Sequence, residues 1–427
     1  MSPDNALSTA KRHPQKNHVM NEEPISLPFG RPMYVMAKPI GSLCNLRCDY
    51  CYYLEKSKLH DTSSQKMSDE ILELFIKEYI QSQTTLEVLF TWHGGEPLLR
   101  PISFYERALE LQQRYAGSRK IANAIQTNGT LLTDEWCEFL RKNNFLVGIS
   151  IDGPQHLHDA LRHTLSGEGC FKDVMRGLRL LAKHRIEWNA MATVNSANVG
   201  HPLEFYRFFR DELDCRFLQF TPVVERTFHH PNGTQLAHAG EAQGCVTPHS
   251  VKAEEWGEFL CQIFDEWVRH DVGKVFVQLF DSTLANWVGQ PPGVCTMSKY
   301  CGHAAIIEHN GDVYSCDHFV FPEYKLGNLR EGSLSDMMYG QKQSRFGVAK
   351  HNSLPSQCRN CEYEFACHGE CPRNRFLTAP SSEAGLNYLC KGYHRYFNHV
   401  APYMDYMRKM LQSGEAPARV MEWAKKY

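Results

Sequence analysis

The chain has 427 residues, 42% hydrophobic and 22% charged, with a formal net charge of -2. That length can bury a sizeable core and predicts two domains, while the near-neutral balance offers no basic face for nucleic acid or an anionic membrane. No apolar run reaches the length of a membrane span, and sixteen cysteines without an apolar export signal point to metal or redox chemistry in the cytoplasm.

Residues 1–30 are polar, mixed in charge and rich in Pro, Asn and Ser, and read as a disordered extension. A strand-like run, Met33-Tyr34-Val35-Met36-Ala37, then leads to Cys44-Asn45-Leu46-Arg47-Cys48-Asp49-Tyr50-Cys51-Tyr52-Tyr53. Three thiolates within eight residues can hold three irons of a 4Fe–4S cube and leave the fourth open. An incompletely ligated metal is what catalysis needs. A structural zinc loop or three buried thiols would use the same residues.

From about Arg31 to Val224 short apolar strands alternate with amphipathic helices. Strands are predicted at Met33–Ala37, Val88–Trp92, Ala124–Gly129, Phe145–Gly153, Glu187–Val194 and Arg216–Val223, with a helix opening at Thr133-Asp134-Glu135. Repeated β-α units imply a parallel sheet, open or closed into a barrel, with its site at the strands' C-terminal ends. Gly94 and Gly95, after Trp92, permit close backbone approach to a ligand, and Glu96 beside them can accept from an ammonium group. Glu225 to Ser250 reads as an irregular surface loop whose scattered histidines match no ligand pattern. Trp256, Phe259, Leu260, Ile263, Phe264 and Trp267 follow at helical spacing and predict a core-facing stripe. Gln278 to Ser282 reads as a bridge to the second domain.

That domain carries Cys295, Cys301, Cys316, Cys358, Cys361, Cys367, Cys371 and Cys390. Asn310-Gly311, between two runs containing apolar residues, predicts a tight β-hairpin flanked by Cys301 and Cys316. Eight cysteines can complete two cubes; two zinc sites are the alternative.

Taken together, Cys-x3-Cys-x2-Cys with its aromatic, Gly94-Gly95-Glu96 and the eight later cysteines resemble radical S-adenosylmethionine (SAM) enzymes with a SPASM auxiliary-cluster domain. Met36-Ala37-Lys38-Pro39, Phe90–Pro97, Gln126–Leu132, Cys316-Asp317-His318-Phe319 and Gly385–Tyr393 are similar to the anaerobic sulfatase-maturating enzymes in particular. The resemblance implies a partial (β/α)6 TIM-like barrel over 31–270, a small Cys-rich domain with a β-hairpin over 271–395, and C-terminal helices over 396–427. It implies three 4Fe–4S clusters, on Cys44, Cys48 and Cys51; on Cys295, Cys301, Cys316 and Cys371; and on Cys358, Cys361, Cys367 and Cys390. SAM would be contacted by Tyr50, Gly95, Glu96, Ser150, Arg162 and the backbone of Leu218. Arg162 is the carboxylate partner by charge and fork geometry. Asp317 would be the base, with a pKa raised in a partly dry site, and Tyr53 and His93 would lie near substrate. His93 stands where other members carry Gln, which bears on the choice between Cys and Ser targets.

The implied reaction is oxygen-independent oxidation of Cys or Ser to Cα-formylglycine by a 5′-deoxyadenosyl radical. Its target is a sulfatase polypeptide carrying Cys/Ser-x-Pro/Ala-x-Arg, and its reductant a donor such as ferredoxin or flavodoxin. The alternatives are another SPASM maturase, for example one forming thioether crosslinks, a non-catalytic iron–sulfur electron carrier, or a zinc-binding interaction module.

Overall fold

A computed structural model of the chain describes residues 33–56, 65–230, 233–237 and 244–426. The extension expected over 1–30 lies outside them. Six strands alternate with helices as the periodicity predicts: β1 (Tyr34–Lys38), β2 (Glu87–Trp92), β3 (Lys120–Thr127), β4 (Leu146–Ser150), β5 (Trp188–Val194) and β6 (Phe217–Pro222). They pair in parallel in the order β6-β5-β4-β3-β2-β1. Alternation sorts each strand into two faces. Phe90, Trp92, Ile125, Val147, Ile149, Ala190 and Ala192 are buried in the main core. The other face carries Lys38, His93, Gln126, Ser150 and Thr193, an unusually polar set for a sheet interior. Helix starts follow local chemistry: Ser68 accepts from Ile71 N–H to cap helix Asp69–Ser82, and Thr133 accepts from Trp136 N–H to cap Asp134–Lys142.

After β6 the structure departs from the expected irregular loop. β7 (Arg226–His230), β8 (Gly233–Leu236) and β9 (Cys245–Val246) form a small antiparallel sheet. The Asn232-Gly233 dipeptide carries the hairpin signal that the scattered histidines obscured. Helix Ala253–His270 then buries Trp256, Phe259, Leu260, Ile263, Phe264 and Trp267, the predicted stripe.

The large sheet continues past the boundary placed at 270. β10 (Phe276–Val277) pairs with β6, and β11 (Ala304–Glu308) pairs with β1, both in parallel. β11 turns at Asn310-Gly311 into β12 (Asp312–Tyr314), as predicted, and β13 (Lys325–Asn328) completes a ten-stranded sheet. The cysteine-bearing hairpin is thus rigidly joined to the barrel's first strand. Gln278 begins a helix, Gln278–Trp287, where a simple bridge was expected. The C-terminal helix runs Cys390–Gln412, so it starts before the expected 396. It packs on Ala253–His270 through a glycine contact: a Cβ on Gly392 would lie 2.1 Å from the Ala253 carbonyl oxygen. Among the described residues, no helix is long and apolar enough to cross a membrane.

Candidate active site

The loop after β1 places Cys44, Cys48 and Cys51 close enough that Cys48 and Cys51 raise the pKa of Cys44, and Cys51 that of Cys48. Burial, then the negative charge of Glu96 and the other two thiols, pushes the Cys44 thiol up to about 12. Leu46 N–H donates to Cys44 Sγ at 3.4 Å and Asn128 Nδ2 at 3.8 Å. Gly95 also has a close contact within the fold. A Cβ on it would sit 2.0 Å from the Leu43 carbonyl oxygen, so the close backbone approach is to the cysteine loop itself. Gly95 N–H donates to Gly41 C=O at 2.9 Å, and Gly94 holds φ +135°. Glu96 is fully buried and accepts from Leu98 N–H, Thr127 Oγ1 and Asn128 N–H, which ties the ends of β2 and β3 together. Its oxygens are therefore spoken for by the fold, and the ammonium partner imagined for it would have to share them.

Beyond β4, Asp152 is a buried carboxylate that the sequence reading did not single out. It accepts from Arg162 Nε at 2.8 Å, from Thr193 N–H at 2.8 Å and from the Tyr50 hydroxyl. Arg162 thus gives one side of its fork to Asp152, leaving the Nη1 edge, which lies 4.0 Å from Cys48 Sγ. Ser150 accepts from Gln126 Nε2 at 3.1 Å. Tyr50, Gly95, Ser150 and Arg162 all lie at or just beyond the C-terminal ends of β1, β2 and β4. Leu218 is the second residue of β6, its backbone paired with Ala190 and Val277 one step below the Ser150–Met191–Gln219 row, and its side chain joins the core. It lines a cavity of about 450 Å³ between β6, β10 and helix Gln278–Trp287, which none of Tyr50, Gly95, Ser150 or Arg162 touches.

Asp317 stands opposite the cysteine loop. Tyr52 Oη donates to it at 2.5 Å, Tyr53 Oη at 2.6 Å, and Lys38 Nζ pairs with it at 2.8 Å. Lys56 Nζ donates to its main-chain carbonyl at 2.6 Å. Burial opposes the charge of Asp317, but Lys38 and Lys56 outweigh it and hold the carboxyl well below the usual carboxylate range. This corrects the expectation of a raised pKa, which counted burial and missed two lysines. His93 Nδ1 accepts from Gly94 N–H at 2.7 Å and lies 3.3 Å from Lys38 Nζ. Burial and the charge of Lys38 lower its pKa to about 3, so the ring is neutral. Tyr53 and His93 are therefore gathered round Asp317, together with Tyr52, Lys38 and Lys56, which the sequence reading missed. Lys38 carried a signal: it ends a strand whose alternation points it to the same side as Tyr34 and Met36.

The eight later cysteines fall into two groups. Burial and the neighbouring charges of Cys295 and Cys301 drive the Cys316 thiol up, and Cys371 is raised by burial, Glu370, Cys301, Cys316 and Cys295. Likewise burial and the charges of Glu370, Cys390 and Cys358 raise Cys367 to about 12, and Cys390 senses Cys358 and Cys361. All-sulfur donor sets, mostly half-buried or buried and mutually repelling as thiolates, fit cubane iron–sulfur clusters, and the three-cysteine set fits one with an open iron. Nearby cations offset part of that repulsion: Lys350 at Cys295 and Cys301, Arg375 at Cys301 and Cys358, and Arg162 at Cys48.

Comparisons with known proteins agree with this geometry. The Radical SAM superfamily matches residues 39–209, and an iron-sulfur cluster-binding domain, SPASM, matches 295–362. The chain is 60% identical over 397 residues to a serine-type anaerobic sulfatase-maturating enzyme of Bacteroides thetaiotaomicron, covering 92% of this chain and 96% of that protein. It is 31% identical over 375 residues to a cysteine-type anaerobic sulfatase-maturating enzyme of Clostridium perfringens, covering 87% of this chain and 97% of the relative. Among solved structures, native anSMEcpe with bound AdoMet and Cp18Cys peptide superposes with a TM-score of 0.77 at 30% identity, covering 89% of this chain and 99% of that one.

Proposed function

The chain belongs to the anaerobic sulfatase-maturating enzymes of the radical SAM superfamily, and from that premise we propose that it oxidises a serine or cysteine of a sulfatase polypeptide to Cα-formylglycine without oxygen. It is a radical SAM oxidoreductase with SAM as cosubstrate and 4Fe–4S clusters as cofactors. Cys44, Cys48 and Cys51 hold the cluster with the open iron. Cys295, Cys301, Cys316 and Cys371 hold one auxiliary cluster, and Cys358, Cys361, Cys367 and Cys390 the other. When bound, SAM and the first cluster supply hydrogen-atom abstraction from Cβ of the target through a 5′-deoxyadenosyl radical.

The chain's own residues then handle a proton. Asp317 accepts it from the target hydroxyl or thiol, and Tyr52, Tyr53 and Lys38 hold the carboxylate in place for that transfer. Lys38 and Lys56 keep Asp317 ionised, so it is ready to accept that proton. His93, neutral with Nδ1 already accepting, offers Nε2–H as a donor beside the same target. Asp317 directly follows Cys316, so proton acceptor and auxiliary quartet adjoin, and the auxiliary clusters would accept or relay the one electron that completes the oxidation.

The observation that carries this reading is a single contact set. Tyr52 and Tyr53, next after Cys51, hydrogen-bond the carboxylate of the residue next after Cys316. The open-iron loop, the base and an auxiliary quartet therefore meet at one point. The same reading has the enzyme act in the cytoplasm on a Cys/Ser-x-Pro/Ala-x-Arg segment, with ferredoxin or flavodoxin as reductant and without nucleic acid or membrane. Its near-neutral charge supports the last point. A serine peptide deuterated at Cβ tests the chemistry: deuterium should appear in the 5′-deoxyadenosine released during turnover. Label-free 5′-deoxyadenosine alongside formylglycine product would refute abstraction at that carbon.

A further inference from the structure

Asp152 has more ordered partners than any simple strand-end acid requires. Its Oδ1 accepts from Thr193 N–H at 2.8 Å and Arg162 Nη2 at 3.2 Å, and its Oδ2 from Arg162 Nε at 2.8 Å and the Tyr50 hydroxyl. Its main chain is anchored as well: Asp152 N–H donates to His158 Nδ1 at 3.2 Å, and Asn198 Nδ2 donates to its carbonyl at 3.2 Å. The carboxylate is wholly buried and Arg162 nearly so. Nearby His158, Asp159 and Cys170 converge as metal ligands might. Their atoms serve the fold instead: His158 Nδ1 takes the Asp152 N–H, and Asp159 Oδ1 takes Phe171 N–H at 2.8 Å.

Tyr50 lies between Cys48 and Cys51, Thr193 is at the end of β5, and Arg162 follows the β4 loop. One anion therefore ties the cysteine loop to two strand ends. A buried charge is costly unless paired and hydrogen-bonded, and here the pairing partners are the groups that Asp152 would position. Asp152 occupies the Nε side of the guanidinium and leaves Nη1 facing the Cys48 thiol at 4.0 Å. From there a guanidinium can reach a second carboxylate end-on.

We propose that Asp152 is a positioning residue: it locks Arg162 and Tyr50 into one unit beneath the three-cysteine loop, so that the free edge of Arg162 is presented at once to the SAM carboxylate and to the Cys48 sulfur. This rests on the SAM-binding reading above and adds the residue through which Arg162 acts. Without Asp152 the guanidinium loses its fixed orientation, and SAM binding weakens although every cysteine remains.

The test titrates SAM into the full-length, anaerobically reconstituted and reduced protein, following the change in the cluster's EPR spectrum. Asp152→Asn should weaken SAM binding roughly tenfold or more, the scale of a lost charged hydrogen-bond pair, with iron and sulfide content at the parent level. Arg162→Gln should do the same, and the double variant should be no worse than Arg162→Gln alone. A merely structural role would instead lower thermal stability and iron content in both backgrounds and leave the two effects multiplying. Parent-like affinity in Asp152→Asn, or effects that multiply, overturns the proposal. Should Asp152→Asn fail to take up iron, Tyr50→Phe decides: removing only the hydroxyl should weaken SAM binding about threefold, and unchanged affinity overturns the proposal. A parent protein that binds no SAM would contradict the functional reading itself, whereas parent binding with indifferent variants contradicts this inference alone.

Discussion

At the scale of single residues, the proposed proton transfer rests on Asp317. Its carboxylate is held by Lys38, Tyr52 and Tyr53 at 2.5–2.8 Å. Replacing Asp317 with Asn keeps the shape and removes the base. The variant should retain its clusters and cleave SAM reductively, yet form product at least roughly a hundredfold more slowly, the usual reach of general-base catalysis. Iron analysis, 5′-deoxyadenosine release and peptide mass spectrometry separate these outcomes; product at the parent rate would show that another group takes the proton. The position of Asp317 was legible in the sequence because it follows a cysteine at a hairpin's end. Its acidity was not, because Lys38 and Lys56 lie 279 and 261 residues away along the chain. Asp152 escaped notice for a similar reason: nothing in Ser150-Ile151-Asp152-Gly153 says that an arginine, a tyrosine and a strand end converge on it.

At the scale of elements, the three-cysteine loop is distinct from both quartets, and that separation is testable. Replacing Cys44, Cys48 and Cys51 together with Ala should abolish reductive SAM cleavage while the auxiliary clusters remain, visible as residual iron and sulfide with no 5′-deoxyadenosine. Undiminished 5′-deoxyadenosine would remove the loop from the chemistry. Packing between elements makes a second prediction. Gly392, two residues past Cys390, faces the Ala253 carbonyl so closely that a methyl group forces the two helices apart. Gly392→Ala should therefore destabilise the fold by about 1–3 kcal/mol, the usual cost of overpacking, read as a lowered Tm in a thermal melt. A melt at the parent Tm would mean the helices separate freely. Most elements could be read from periodicity, since the strands alternate apolar and polar residues and the long helix repeats its aromatics at helical spacing. β7 to β9 could not, because histidines break the apolar alternation. The ligand contact of Leu218 rests on resemblance alone; register sets its backbone one step below the row of Ser150, Met191 and Gln219.

For the whole molecule, the decisive feature is the continuity of one sheet from β10 to β13. β11 pairs with β1, so the hairpin that ends at Cys316 and Asp317 is aligned by backbone hydrogen bonds with the strand that leads to Cys44. The relative placement of the two cysteine systems is therefore built into the fold and does not depend on a mobile interface. Cysteine spacing announced both systems in the sequence, yet it could not show that they share a sheet, because the pairing of β1 with β11 joins residues 270 apart. The grouping of the eight cysteines likewise came from resemblance, and only the folded chain sets Cys371 beside Cys316 and Cys390 beside Cys367. In the proposed reaction, that arrangement lets hydrogen atom, proton and electron leave the target at adjoining places. Cβ is common to serine and cysteine, so both should be processed. The most direct measurement is mass spectrometry of Ser-x-Ala-x-Arg and Cys-x-Pro-x-Arg peptides after anaerobic incubation with the reconstituted enzyme, SAM and a reductant. The account predicts formylglycine from both, with the serine peptide lighter by two hydrogens; unmodified peptides despite steady release of 5′-deoxyadenosine would contradict it.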